Sequence, residues 1–150
     1  MILQTAIGMA ALTNVDKQEQ IEFLLDHYEN PRHKQPMDGD GVVMVEGGNP
    51  GCGDVVKIYL KVNGDGKAAV TFEGEGCTIS QASASYLSEF ASGKTLDELG
   101  RLDHNDLIDA LGREIVTQRT RCATLSLDTL RAATLRGKRE RELVATQIKS

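Results

Sequence analysis

A chain of 150 residues with 40% hydrophobic content is long enough to bury one core and too short for two substantial domains. With no Trp, three Tyr, three Phe and a formal charge of −5, it offers little aromatic surface for stacking bases and no extended cationic surface for phosphates, which argues against nucleic-acid binding. Three cysteines argue against a disulfide framework and for a reducing cytoplasm.

Met1 to Leu12 is mostly apolar, but no Lys or Arg precedes it and no spanning length follows, so it reads neither as a leader nor as a membrane anchor. Residues 1–15 are expected to form an arm that covers its apolar side chains by contact with a second copy, giving a homo-oligomer. Asp16 and Glu19 have the form of a capping box, after which Ile21, Leu24, Leu25 and Tyr28 share a helical face that ends at Asn30-Pro31. The stretch from Pro31 to Gly41 lacks apolar period and reads as an exposed loop, and Val42 to Val45 as a short strand. Glycines and a proline surround Cys52, predicting a tight turn. Val56, Ile58, Leu60 and Val62 alternate with polar residues, as do Ala68, Val70 and Phe72; Asn63-Gly64-Asp65-Gly66 between them is a hairpin turn. The two strands run antiparallel, so the loops bearing Cys52 and Cys77 fall at one end of the hairpin.

Thr78 and Gln81 predict a second capping box, opening a helix with Ile79, Ala82, Tyr86 and Phe90 as its stripe. Thr95 with Glu98 opens a short helical turn, and Asp103 caps another that buries Leu107, Ile108 and Leu111 before Gly112. The last helix is predicted from about Cys122, burying Ala123, Leu127, Leu130 and Ala133 before a polar extension at 137–150. The folded domain is then 16–136, of α/β (α+β) class: a three-stranded antiparallel sheet packed against four or five helices in two layers.

Each cysteine stands at a structural transition, where exposed amides favour thiolate. Cys52, Cys77 and Cys122 together with Asp54 supply four ligands, enough for tetrahedral zinc or for the two irons of a [2Fe-2S] cluster. The carboxylate, harder than a thiolate and a weaker ligand for a soft metal, makes such a site labile and suited to transfer. Spacing alone leaves a second reading equally open, in which the three thiols are separate small buried hydrophobes, since there is no C-x-x-C pair and no His close to a cysteine.

The motifs Asp26-His27-Tyr28-Glu29-Asn30-Pro31-Arg32, Gly48-Asn49-Pro50-Gly51-Cys52-Gly53-Asp54, Gly74-Glu75-Gly76-Cys77-Thr78-Ile79-Ser80-Gln81 and Arg121-Cys122-Ala123-Thr124-Leu125-Ser126 resemble the IscU/SufU/NifU N-terminal family from about Ile21 to Leu135. The resemblance puts Cys52, Cys77 and Cys122 at the family's three cysteine positions and Asp54 at its aspartate. It implies a scaffold rather than an enzyme: one that takes sulfur from a cysteine desulfurase, builds a transient [2Fe-2S] cluster and passes it to apo-proteins. The family also contains zinc-dependent sulfur acceptors that activate the desulfurase. Gly-Glu-Gly-Cys and Arg121, where the scaffold branch has histidine, are similar to the SufU branch; the short span from Cys77 to Cys122 is similar to the IscU branch. Ile115 to Arg119 replaces the scaffold branch's chaperone motif. Arg121 is expected beside the ligands, since a cation at a helix N-terminus calls for a nearby anion. His27, His33 and His104 read as structural or surface residues, and Lys57 and Lys61 as a solvated strand face.

Overall fold

The computed structural model describes residues 16–49, 51 and 53–149. The predicted arm and Cys52 lie outside them. Three strands, β1 (Val43–Asn49), β2 (Asp54–Val62) and β3 (Ala68–Glu75), form an antiparallel sheet in the order β1-β2-β3. Val56, Ile58 and Leu60 on β2 and Ala68, Val70 and Phe72 on β3 are buried on one face, as their two-residue period requires. The opposite face carries Met44, Lys57, Tyr59 and Glu73, and Tyr59 donates its hydroxyl proton to Glu73 at 2.6 Å. The hairpin closes through Gly66 N–H to Asn63 C=O at 2.9 Å.

Helices cover the buried face: α1 (Lys17–Glu29), α2 (Thr78–Ala91), α3 (Leu96–Gly100), α4 (His104–Leu111), a four-residue turn α5 (Arg113–Val116), a 3-10 turn (Thr117–Arg119) and α6 (Thr120–Lys149). The two-layer arrangement agrees with the fold expected from the sequence. Leu87, Leu99, Leu107, Leu111, Leu127 and Leu130 fill the space between helices and sheet. The capping boxes at Asp16 and Glu19 and at Thr95 and Glu98 are both formed.

Four local expectations are corrected. The β1 strand runs through Gly47 and Gly48 to Asn49, four residues beyond its predicted end, because those glycines pair with Val56 and Val55. A side chain at Gly47 would put its Cβ 2.1 Å from Thr129 Oγ1, so glycine there lets α6 lie against the strand. The buried face of α1 is Leu24 and His27 flanked by Phe23, while Leu25 and Tyr28 are exposed; the aromatic edge of Tyr86 on α2 selects this face. The cap of α2 is Cys77, not Thr78, and Gln81 bonds Ser80 instead of closing a box. The last helix begins at Thr120, leaving Cys122 inside its first turn.

Candidate metal centre

Antiparallel pairing sets Val55 opposite Glu75, so the start of β2 and the end of β3 share one end of the sheet. Asp54 opens β2, and Cys77 caps α2 two residues after β3 ends. Cys122 reaches the same end from α6. One ligand atom from each of Asp54, Cys77 and Cys122 lies within 4.8 Å of the others. Ligand atoms around tetrahedral zinc stand about 3.5–3.8 Å apart, so these three groups need to contract by only about 1 Å to hold one ion. Among the described residues no other group of three His, Cys, Asp or Glu side chains converges in this way.

The carboxylate is 1% exposed and held on both oxygens. Cys77 N–H donates to Oδ1 at 2.8 Å, and the Cys77 thiol lies 3.9 Å from Oδ2. Burial pushes the Asp54 carboxyl up, but hydrogen bonds from Cys122, the Cys77 amide, Ser80 and the Cys77 thiol outweigh it and leave the group below its ordinary value. An ionised carboxylate beside two soft sulfur donors is a chemically coherent set for zinc or iron.

Local sequence explains why these groups meet. Gly76 has φ of 149°, and a Cβ there would stand 2.2 Å from Asp54 Oδ1 and 2.9 Å from Ser80 Oγ. Only a residue without a side chain lets the carboxylate slide under the β3–α2 junction. The Cys77 sulfur, as N-cap, accepts Ser80 N–H at 3.5 Å. Small residues along α2 let α6 approach: Ser83 Oγ donates to Ala123 C=O at 2.6 Å and contacts Ser126 Oγ at 3.2 Å, fixing the register of Cys77 against Cys122. Cys122 is 2% exposed and Cys77 half-buried, so the cluster opens to solvent on the Cys77 side.

Of the sequence-predicted residues, Asp54, Cys77 and Cys122 are brought together, and Cys52 lies outside the described residues. The Arg121 side chain is exposed in the first turn of α6. The histidines stand elsewhere: His27 Nδ1 meets Ser85 Oγ at 2.7 Å, His33 Nδ1 donates to Val70 C=O at 2.9 Å, and His104 Nε2 pairs with Asp128 at 2.6 Å. Sequence reading assigned no role to Gly76, Ser80 and Ser83; Gly76 and Ser80 lie in the motif around Cys77, but a run of small residues reads equally well as helix packing.

Residues 19–142 match the family described as NifU-like N terminal domain. The chain is 37% identical over 111 residues to the iron-sulfur cluster assembly scaffold protein IscU 1 of Archaeoglobus fulgidus, covering 73% of this chain and 71% of that one. It is 34% identical over 122 residues to the zinc-dependent sulfurtransferase SufU of Bacillus subtilis, covering 70% and 82%. Among solved structures, a protein from Fervidobacterium islandicum, described as an iron-sulfur cluster assembly scaffold for the SUF system, superposes with a TM-score of 0.63 at 30% identity, covering 75% of this chain and 94% of that one.

Proposed function

We propose, from the premise that this chain belongs to the NifU-like N-terminal domain family, that it is a scaffold on which an iron–sulfur cluster is assembled and from which it is passed on. The observation that carries this reading is the convergence of Asp54, Cys77 and Cys122 within 4.8 Å at one end of the sheet. Cys52 is the fourth ligand of the proposal. Two peptide units span at most about 7 Å, so covalent geometry keeps its Cα that close to the Cα of Asp54. The relatives named as iron–sulfur cluster assembly scaffolds support an iron–sulfur cargo; that the cluster is [2Fe-2S], that a cysteine desulfurase donates the sulfur and that apo-proteins accept the cluster are parts of the proposal. A partner contact through the N-terminal arm is part of the same proposal. Among the described residues, no helix is long and apolar enough to cross a membrane.

The chain's own groups have distinct parts. A thiolate of the site attacks the terminal sulfur of the donor's persulfide; the new S–S bond forms as the donor's breaks, and the donor cysteine leaves as thiolate. Cys52, Cys77 and Cys122 are the candidate sulfur-accepting thiols; of the two described, Cys77 is half-buried and reachable by an incoming donor, whereas Cys122 and Asp54 are closed off behind it. Arg121, exposed next to Cys122, is proposed as the cation that meets negative charge arriving at the site.

A second reading has a specific support, the likeness to a zinc-dependent sulfurtransferase. The same ligands then hold zinc, and one thiol accepts sulfur. Anaerobic purification, followed by incubation with ferrous iron, a cysteine desulfurase, cysteine and a dithiol reductant that takes persulfide sulfur to sulfide, separates the two. A visible iron–sulfur chromophore with about two irons and two sulfides per chain is expected for the scaffold. Tightly held zinc, stimulation of the desulfurase and no chromophore would overturn it in favour of the sulfurtransferase.

A further inference from the structure

The large apolar side chains exposed among the described residues are Leu25, Tyr28, Met44, Leu135 and Leu143. They are not scattered. Leu25 and Tyr28 share one side of α1 with half-buried Ile21, at helical spacing, and the exposed carboxylates of Glu22, Asp26 and Glu29 border that side. From the cap of α1 to its end, residues 16–29 carry five carboxylates against one lysine. Asp26 already pairs with Arg32 at 2.5 Å, so Glu22 and Glu29 are the carboxylates this face offers.

The other three side chains also stand together. Leu135 and Leu143, 63% and 57% exposed, are about two turns apart on α6, with exposed Arg139 between them and Arg136 alongside. Arg136 Nη1 donates to Met44 C=O at 3.1 Å, which brings the edge strand β1 to the border of the same patch. Residues 136–143 hold four cations and two carboxylates, and one of these carboxylates, Glu140, is paired with Arg136 at 3.5 Å.

Each face is thus apolar with a charged rim, the make-up of a protein contact, and the two rims are opposite in sign. In the folded chain both faces point to solvent, because α1 packs against α2 and α4 while α6 packs against β1, β2 and α2. One copy therefore cannot bring them together. Two α1 faces would set carboxylate against carboxylate, and two α6 faces guanidinium against guanidinium. We propose that the α1 face takes the α6 face of a second copy of this chain, with Leu135 and Leu143 packed on Leu25 and Tyr28 and the Arg139 guanidinium on the Glu22 carboxylate. The contact is heterologous, so copies join head to tail. Leu135 lies about 20 Å along α6 from Cys122, so assembly leaves the metal centre open and the inference stands apart from what that centre binds.

Sedimentation velocity and light scattering on the full chain test it, from micromolar to millimolar concentration and at low and high salt. The parent mass should rise above that of one chain as concentration increases and fall back at high salt. Arg139→Glu and Glu22→Lys each set like charges together and should weaken association by about 10-fold or more, and the double variant should recover most of it. Zinc uptake should be the same in all of them. A parent that stays monomeric throughout, association that neither charge reversal weakens, or a double variant no better than the single ones overturns the inference. Association that is lost on deleting residues 1–12 but ignores the charge reversals belongs to the arm and overturns it too. If a charge-reversal variant does not fold by circular dichroism, Leu143→Ser decides, and unchanged association there overturns the inference.

Discussion

Replacing Gly76 with alanine tests the packing of the site without touching a ligand. The new Cβ would stand 2.2 Å from Asp54 Oδ1 and 3.0 Å from Asp54 Cα, so the carboxylate must move by about 1 Å to reach ordinary contact. That movement breaks the 2.8 Å bond from Cys77 N–H to Oδ1, a hydrogen bond to a charged group, at about 1.5–3 kcal/mol. Alanine at φ of 149° adds about 1–2 kcal/mol of backbone strain. Together these give about 2.5–5 kcal/mol.

Gly93→Ala isolates the strain. Its φ is also positive, at 94°, but a Cβ there meets nothing within 4 Å, so it should cost only about 1–2 kcal/mol. With a urea slope of about 1.5 kcal/mol per molar, Gly76→Ala should lower the unfolding midpoint by about 2–3 M and Gly93→Ala by about 1 M. Zinc uptake, read by chelator competition, should be lost in the first and kept in the second. Equal midpoints and equal zinc uptake in the two variants would refute the claim that Asp54 sits beneath the β3–α2 junction.

The helix contact behind the thiols makes a second prediction. Ser83→Ala loses a hydrogen bond and should cost about 1 kcal/mol, whereas Ser83→Val also forces α2 and α6 apart, costs about 2–4 kcal/mol in urea unfolding and weakens zinc binding. Stability should also depend on His27. Burial, then the neighbouring Arg32, holds its pKa below the ordinary 6.5, against the opposing pull of Glu89 and Asp26. The unfolded chain therefore takes up the proton first, so stability is full above about pH 7 and falls as pH drops below about 6.5 towards the folded value. The depressed carboxylates, such as Asp54, lose their contribution only below about pH 3.8, which keeps the windows apart. Melting temperatures from pH 5 to 7.5 should fall on the acid side in the parent chain and stay flatter in His27→Gln. Finally, Asp54→Cys replaces a hard ligand with a soft one, so a loaded cluster should pass to an apo-acceptor about 10-fold more slowly by visible absorption; faster transfer would contradict the labile role of the carboxylate.

Strands β2 and β3 were legible because their signal is local: apolar and polar residues alternate, and Asn63 to Gly66 forms the turn. The end of β1 was not, since the reason for Gly47 lies at Thr129, on a helix far along the chain. On α1 the apolar spacing allowed two faces, and the choice fell to contacts with α2, where Phe23 and Tyr86 stand edge to face at 5.4 Å. The candidate ligands were visible as chemistry, thiols and a carboxylate at turns and helix starts. What the sequence could not reveal is that Cys77 is itself the cap of α2, because that depends on where the chain leaves β3, whereas capping propensities favour Thr78, a usual cap type, over cysteine.

The cap role of Cys77 bears on how the site can release what it holds. A sulfur that accepts Ser80 N–H keeps that bond as a thiolate, so the helix start does not fray when the ligand is lost. Asp54 is likewise held by Cys77 N–H, so a backbone donor orients the carboxylate. In the proposed site the strength of binding is then set by the ligands, of which a carboxylate is the weaker for a soft metal. In the proposed site Asp54 and Cys122 are closed off and Cys77 is half-buried, so among the described ligands Cys77 marks the side open to exchange.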